Sequence, residues 1–181
     1  MTRILVLFAS IDGHTARVAQ RVAERLEHSG HAVALRAIAE APAQLDDSDA
    51  VIVGGAIRYG HHPRALEAWV RTHRAQLAGK PNAFFSVCLS AGGPGARPDT
   101  ARGYLDDFRT RTGWQPATAA SFAGALLYRR YNPFIRFMMR LIVGMAGGDT
   151  DTSRDYEYTD WQAVERFAAE FGAGLQPARA L

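Results

Sequence analysis

Ile4-Leu5-Val6-Leu7-Phe8-Ala9-Ser10-Ile11-Asp12-Gly13-His14-Thr15 decides how the chain is read. Ile4 to Ala9 is an apolar run without a polar break. Such a run suits a strand buried on both faces of a parallel sheet. Beyond Thr15 the apolar residues recur at helical spacing, with Val18, Val22 and Leu26 in line and Ala19 and Ala23 beside them. The loop between strand and helix is small, polar and glycine-bearing. Hydroxyls of Ser10 and Thr15 can donate to phosphate oxygens, and Gly13 lets successive N–H groups point inward. The helix N-terminus adds partial positive charge. A terminal monophosphate is the natural guest. The loop alone leaves a plainer role equally open, in which Ser10 or Asp12 only caps the helix. The Asp12 carboxylate would repel a phosphate unless it turns outward.

The same alternation continues downstream. Strands are expected at His31–Ile38, Ala50–Ile57, Ala83–Leu89 and Ala119–Leu127. His62-Pro63 opens a helix whose inner stripe is Leu66, Trp69, Val70, His73 and Leu77, with His62 as its cap and Pro63 in its first turn. Asp99 is the expected cap of a further helix carrying Ala101, Tyr104, Leu105 and Phe108 inward. Thr159 and Gln162 form a capping-box pattern before a last helix with Trp161, Val164, Phe167, Ala168 and Phe171 on one face. Between Ala39 and Asp49 only a very short helix fits. The fold class is therefore α/β, a doubly wound five-stranded parallel sheet, read as a single domain over 1–181.

In such sheets ligands bind beyond the carboxyl ends of the strands. After strand three come Ala56, Ile57, Arg58, Tyr59 and Gly60. Tyr59 offers a stacking face and Arg58 an anion partner. After strand four come Leu89, Ser90, Ala91, Gly92 and Gly93, which would present bare backbone to the edge of a heterocycle. Phosphate donors, a stacking aromatic and bare backbone together fit FMN. No G-x-G-x-x-G follows strand one, and Gly79-Lys80 lacks the upstream glycine of a P-loop. Strand three ends Gly54-Gly55-Ala56, without the acids that a phosphorylatable receiver would carry.

Composition excludes other classes. The chain has 181 residues, 48% apolar and 22% charged, which is ordinary for a globular protein. Cys88 is the lone cysteine, so no internal disulfide is expected and nothing argues for an oxidising compartment. The cations are arginines apart from Lys80, which favours planar, bidentate anion recognition. The longest apolar stretch, Phe134–Ala146, carries Arg136 and Arg140 and falls short of a membrane span. The N-terminal run is short and Asp12–Thr15 is a poor cleavage region, so a secretory signal is not expected and the location is read as cytoplasmic.

Several stretches carry a resemblance, the first of them at superfamily level and the others more narrowly. They are Asp12-Gly13-His14-Thr15, Ala56-Ile57-Arg58-Tyr59-Gly60-His61, Ala123-Gly124-Ala125-Leu126, Gly147-Gly148-Asp149-Thr150-Asp151-Thr152 and Tyr158-Thr159-Asp160-Trp161. The chain resembles, over essentially its whole length, the menaquinone-dependent protoporphyrinogen oxidases of the flavodoxin-like superfamily. That resemblance implies non-covalent FMN, oxidation of protoporphyrinogen IX to protoporphyrin IX in haem biosynthesis, and electron delivery to menaquinone or ubiquinone. It also implies a place on the cytoplasmic face of the inner membrane. By position, Ser10, Ile11, Asp12, Gly13, His14 and Thr15 would hold the FMN phosphate; Ala56–Gly60 and Leu89–Gly93 would hold the ring.

A basic, apolar helical insert, about 128–155, interrupts the repeat after or within strand five. Residues 128–145 hold Arg129, Arg130, Arg136 and Arg140 and no acid, against a net charge of +3 for the whole chain. A helix is expected from Phe134. Three roles stand side by side. The helix could lie on a membrane with arginines at anionic headgroups. It could wall the flavin, with Tyr128, Tyr131 and Phe134 on the macrocycle and arginines on its propionates. It could pack on the sheet or on a second subunit of a homo-oligomer. The charge is too local for nucleic acid, and no metal-ligand spacing stands out. His61 and His62 are the candidate proton acceptors, beside the presumed flavin loop, whereas His14 and His28 read as surface residues. Rival readings are a flavodoxin-type electron carrier, an NAD(P)H:quinone oxidoreductase of the same fold, and an FMN-free membrane-docking module.

Overall fold

The structure is a computed structural model that describes residues 1–175. It runs β1 (Arg3–Ala9), α1 (His14–His28), β2 (Ala32–Ala37), β3 (Ala50–Ala56), α2 (Arg64–Ala78), β4 (Asn82–Cys88), α3 (Pro98–Thr112) and β5 (Thr118–Ala123). The five strands pair in parallel in the order β2-β1-β3-β4-β5. This is the doubly wound order that the alternating pattern predicts. The link after β2 contains only the single 3-10 turn Ile38–Glu40.

Strand periodicity sorts the side chains onto two faces. Ile4, Val6, Ile52 and Phe85 pack with Val18, Val22 and Leu26 of α1. Leu5, Leu7, Val51, Val53 and Phe84 face the other way, against Leu66 and Val70 of α2 and Leu105 and Phe108 of α3. Every residue of β3 and β4 is buried, which explains their unbroken apolar runs. Phe84 stacks flat on Phe108, with ring centroids 4.1 Å apart. Truncating such a ring to alanine costs about 3–5 kcal/mol. Gly54 is required here because a Cβ would stand 2.0 Å from the Phe85 ring.

Beyond β5 the chain leaves the sheet. The expected fifth strand to Leu127 is corrected: Gly124 N–H makes a last bond to Cys88 O, at 3.1 Å, and the ladder stops. β6 (Ala125–Leu126) instead pairs antiparallel with β7 (Tyr156–Glu157). Between them lie a 3-10 turn, Tyr128–Arg130, and α4 (Pro133–Met145). Asn132 caps α4 by accepting the Ile135 N–H at 2.9 Å, with Pro133 at the first helical position. Its end is closed at Gly147, φ 76°, where Gly148 N–H returns to Val143 O at 2.9 Å. The Asp149 carbonyl accepts from the Tyr128 hydroxyl, and its carboxylate accepts from Tyr158. α5 (Trp161–Gly174) then covers the α1 face, burying Val164, Phe167 and Ala168.

Three cap assignments change. Arg97 occupies the N-cap of α3 and Asp99 sits inside its first turn. Pro63 precedes α2, and the His62 side chain does not cap it. Asp160 caps α5 by accepting from Ala163 N–H, which frees Thr159 for a different task.

Candidate functional site

The strand order reverses between β1 and β3, so the loops after them part and leave a crevice at the carboxyl edge. A cleft of about 270 Å³ occupies it. The loops after β1, β3 and β4 form three sides, and Ile135, Met139 and Ile142 of α4 form the fourth.

The first loop leaves the start of α1 without a side-chain cap. Ser10 Oγ accepts the Gly13 N–H at 3.1 Å, and Gly13 takes φ 87°. α1 starts there with no side-chain cap and no acid in its first turn. Its first helical bond is Arg17 N–H to Gly13 O, at 3.3 Å. The N–H groups of His14, Thr15 and Ala16 therefore have no carbonyl within the helix. Thr15 is buried and borders the cleft, while Asp12 is exposed at its mouth.

His14 is buried, contrary to the surface role expected for it. Its Nε2 lies 2.6 Å from Thr159 Oγ1, whose proton goes to Ala123 O at 2.8 Å. Nε2 is therefore the donor in the first of these bonds. Nδ1 is buried without a protein partner. Burial lowers the pKa, which favours the neutral ring. The triad ties the start of α1 to the end of β5.

The second loop is a tight turn in which Arg58 and His61 exchange both backbone bonds, at 3.0 and 3.1 Å. Gly60 has φ 82° and Tyr59 φ 52°, an uncommon value for a bulky side chain. The strain presents the Tyr59 ring outward, 73% exposed, with the Arg58 guanidinium 5.5 Å from its centroid. Ala56 to Gly60 all line the cleft.

The third loop behaves differently from expectation. Leu89 and Ser90 line the cleft; Ala91, Gly92 and Gly93 stand away from it. A Cβ on Gly92 would meet Ala123 Cβ at 2.7 Å, and one on Gly93 the Tyr158 ring at 2.8 Å. These glycines admit β5 and the returning segment of the insert. Cys88 also borders the cleft, and burial pushes its thiol up to about 11, so it stays protonated.

The insert residues divide into three groups. Tyr128 is fully buried, and Arg136 is turned inward to donate to Tyr128 O at 2.9 Å and Tyr131 O at 3.2 Å. Neither side chain is offered to a ligand or a membrane. Tyr131 borders the cleft, and Arg130 donates to Asp12 O at 3.2 Å. Arg129, Arg140 and Phe134 are exposed. Phe134 belongs to an outer face with Phe137, Met138, Leu141 and Met145, all exposed.

His61 and His62 do not line the cleft. His61 is exposed and accepts from Arg111 at 3.2 Å. His62 packs at the edge of the Phe84–Phe108 stack, its ring centroid 5.3 and 4.8 Å from theirs, and is bonded through Nε2 to Ser86 Oγ at 3.0 Å. Burial drives its pKa down to about 3. The inner stripe Ile135-Met139-Ile142 and the shared wall residue Tyr104 were missed from sequence. The i, i+4, i+7 spacing of that stripe was the available signal.

The Flavodoxin domain family model matches residues 5–153. A protein of Escherichia coli (strain K12) called protoporphyrinogen IX dehydrogenase [quinone] is 38% identical over 170 residues, covering 93% of each chain. One of the same name from Leishmania major is 36% identical, covering 94% of this chain and 75% of that one. Among solved structures, oxidised flavodoxin 1 from Bacillus cereus superposes with a TM-score of 0.59 at 16% identity, covering 97% of this chain and 100% of that one. A short-chain flavodoxin associated with a bacterial microcompartment gives 0.60 at 14% identity, with the same coverage. The solved structures speak for the fold, and the sequence relatives for the narrower grouping: the chain belongs to the flavodoxin-domain family of protoporphyrinogen IX dehydrogenases.

Proposed function

We propose that this chain binds FMN in the cleft, oxidises protoporphyrinogen IX to protoporphyrin IX, and passes the electrons to menaquinone or ubiquinone. The carrying observation is the convergence of an uncapped α1 terminus, the outward Tyr59 ring and the α4 wall on one crevice. The donor set suits FMN. The uncapped α1 terminus and Thr15 border the cleft, and Ser10 and Arg130 are bonded to the same loop, a donor set that suits a phosphate. Tyr59 and the backbone of Ala56–Gly60 and Leu89–Ser90 suit a planar ring. The relatives' shared name supplies the donor and acceptor classes.

Bound FMN would supply the two-electron chemistry. The chain supplies placement. Arg130 and α1 fix the phosphate, Tyr59 flanks the ring, and Ile135 and Met139 keep water from one side of the crevice. Arg58 stands at the rim, where a propionate could pair with it. Neutral, enclosed His62 does not serve as the proton acceptor. The outer face of α4, apolar with Arg140 and Arg129 nearby, supports peripheral docking on an anionic membrane surface. Docking there would bring the cleft close to a lipid-soluble acceptor.

The test is anaerobic. Purified protein loaded with FMN is mixed with protoporphyrinogen, and the flavin absorption is followed. Bleaching, reversed by a menaquinone analogue, is expected. Bleaching by NADPH but not by protoporphyrinogen would establish the quinone oxidoreductase instead. A protein that stays colourless with FMN would remove the whole reading.

A further inference from the structure

A second cavity of about 340 Å³ lies beside the first, between the loop after β4, the start of α3 and the last turns of α4. The two share a wall made of Leu89, Ser90, Tyr104, Met139 and Ile142. We propose that this second cavity is the quinone site, with the quinone ring against the shared wall and its isoprenoid tail leaving past Ile142 and Met145. The proposal rests on the flavin reading of the first cleft and names where the acceptor binds.

The chemistry of the lining selects the ligand. Leu126, Val143, Met145 and Ala146 make the far side apolar. The one cation, Arg97, is exposed at the mouth. A tetrapyrrole carrying two propionates calls for more than one cation, and the lining of this cavity offers Arg97 alone. A neutral quinone needs an apolar slot and one or two hydrogen-bond donors for its carbonyls. Ser90 and Tyr104 stand on the shared wall and can provide them. The exit is equally specific. Ile142 and Met145 line the cavity and are also 42% and 80% exposed, Met145 on the outer face of α4. A tail leaving there emerges onto the apolar surface that would meet the bilayer. Reduction of a quinone to a quinol takes two electrons and two protons, and a fully reduced flavin held across the wall would supply the same two of each.

Two cavity-filling variants test this from opposite sides, Thr100→Trp on α3 and Ala146→Leu after α4. Menadione, a soluble naphthoquinone, is measured by equilibrium dialysis against protein with and without FMN. Each variant is expected to bind menadione about tenfold more weakly, with FMN affinity unchanged. In stopped flow the bleaching by protoporphyrinogen should keep its rate, while return of colour on adding menadione slows by about tenfold. Unchanged menadione affinity in both folded variants overturns the proposal. So does a loss confined to protoporphyrinogen, which would make the cavity a donor site. Should wild-type flavin resist protoporphyrinogen altogether, the proposed activity fails, whereas dialysis still decides whether a quinone occupies the cavity.

Discussion

Arg130 was expected to meet substrate or membrane, and the structure places it over the loop between β1 and α1. Its Nη1 donates to Asp12 O at 3.2 Å and lies 3.4 Å from where a Gly13 Cβ would be. A phosphate seated on the α1 terminus would therefore meet a guanidinium from the opposite side. Hydrogen bonds to charged partners contribute about 1.5–3 kcal/mol, and Arg130 is exposed, which screens it toward the lower figure. Arg130→Ala should thus weaken FMN binding by about 1.5 kcal/mol, roughly tenfold in Kd. The Asp12 carbonyl it releases is open to water, so the fold should not suffer. Quenching of flavin fluorescence on titration measures both FMN and riboflavin. Riboflavin lacks the phosphate, so its affinity should be the same in wild type and variant. Added salt should narrow the gap for FMN. An equal loss for both flavins would show that Arg130 only shapes the loop, and no loss for FMN would remove it from the site.

Other perturbations have clear signs. Tyr59→Gly should relieve the left-handed strain at φ 52° and raise the stability of the flavin-free protein by about 1 kcal/mol, while loosening FMN; a melting temperature that falls would contradict the strain argument. His62 has its pKa lowered from 6.5 to about 3, so the unfolded chain binds the extra proton first. Its contribution is full above pH 6.5 and fades as acid is added through that window. At about pH 4.5 the loss approaches roughly 3 kcal/mol. Urea melts at neutral and acid pH should show His62→Gln with a flatter dependence, and parallel curves would refute this. Replacing Phe134, Phe137, Leu141 and Met145 together by serine should abolish co-sedimentation with anionic vesicles, each apolar side chain being worth about 1–2 kcal/mol at the interface. Undiminished sedimentation would send the docking surface elsewhere.

What the sequence disclosed follows from how locally each feature is encoded. β3 and β4 are buried throughout, so their apolar runs are unambiguous, and α1 carries its own stripe. The turn between β1 and α1 could be placed at the cleft because strand, glycine and helix start are contiguous, and Ala56–Gly60 for the same reason. Gly92 and Gly93 were misread because a glycine run signals close approach without saying of what. The answer, Ala123 and Tyr158, lies on distant segments. His14 was misread because its burial depends on Thr159, and Thr159 itself looked like a cap. Arg136 offered no hint that its charge would be turned onto two carbonyls. Arginine in an apolar helix reads alike whether it faces lipid, ligand or backbone.

α4 lies outside the five-stranded sheet and the helices that alternate with it, and its two exposures explain why it is apolar nearly all round. A helix with one dry face would need only one stripe. Here Ile135, Met139 and Ile142 wall the two cavities, and Phe134, Phe137, Leu141 and Met145 remain uncovered. Both ends are held, by the Asn132 cap with Arg136 at the start and by the Gly147 turn with Asp149 beyond it. An α-helix is about 10 Å across, so holding both its ends fixes how far its outer face stands from the crevice. That distance is also the one between a flavin in the crevice and whatever surface the outer face touches. An electron carrier that exposes its ring to successive protein partners gains nothing from such a wall. An enzyme that takes electrons from an aqueous, anionic donor and gives them to a lipid-soluble acceptor needs two approaches to one cofactor, and α4 divides the crevice into two.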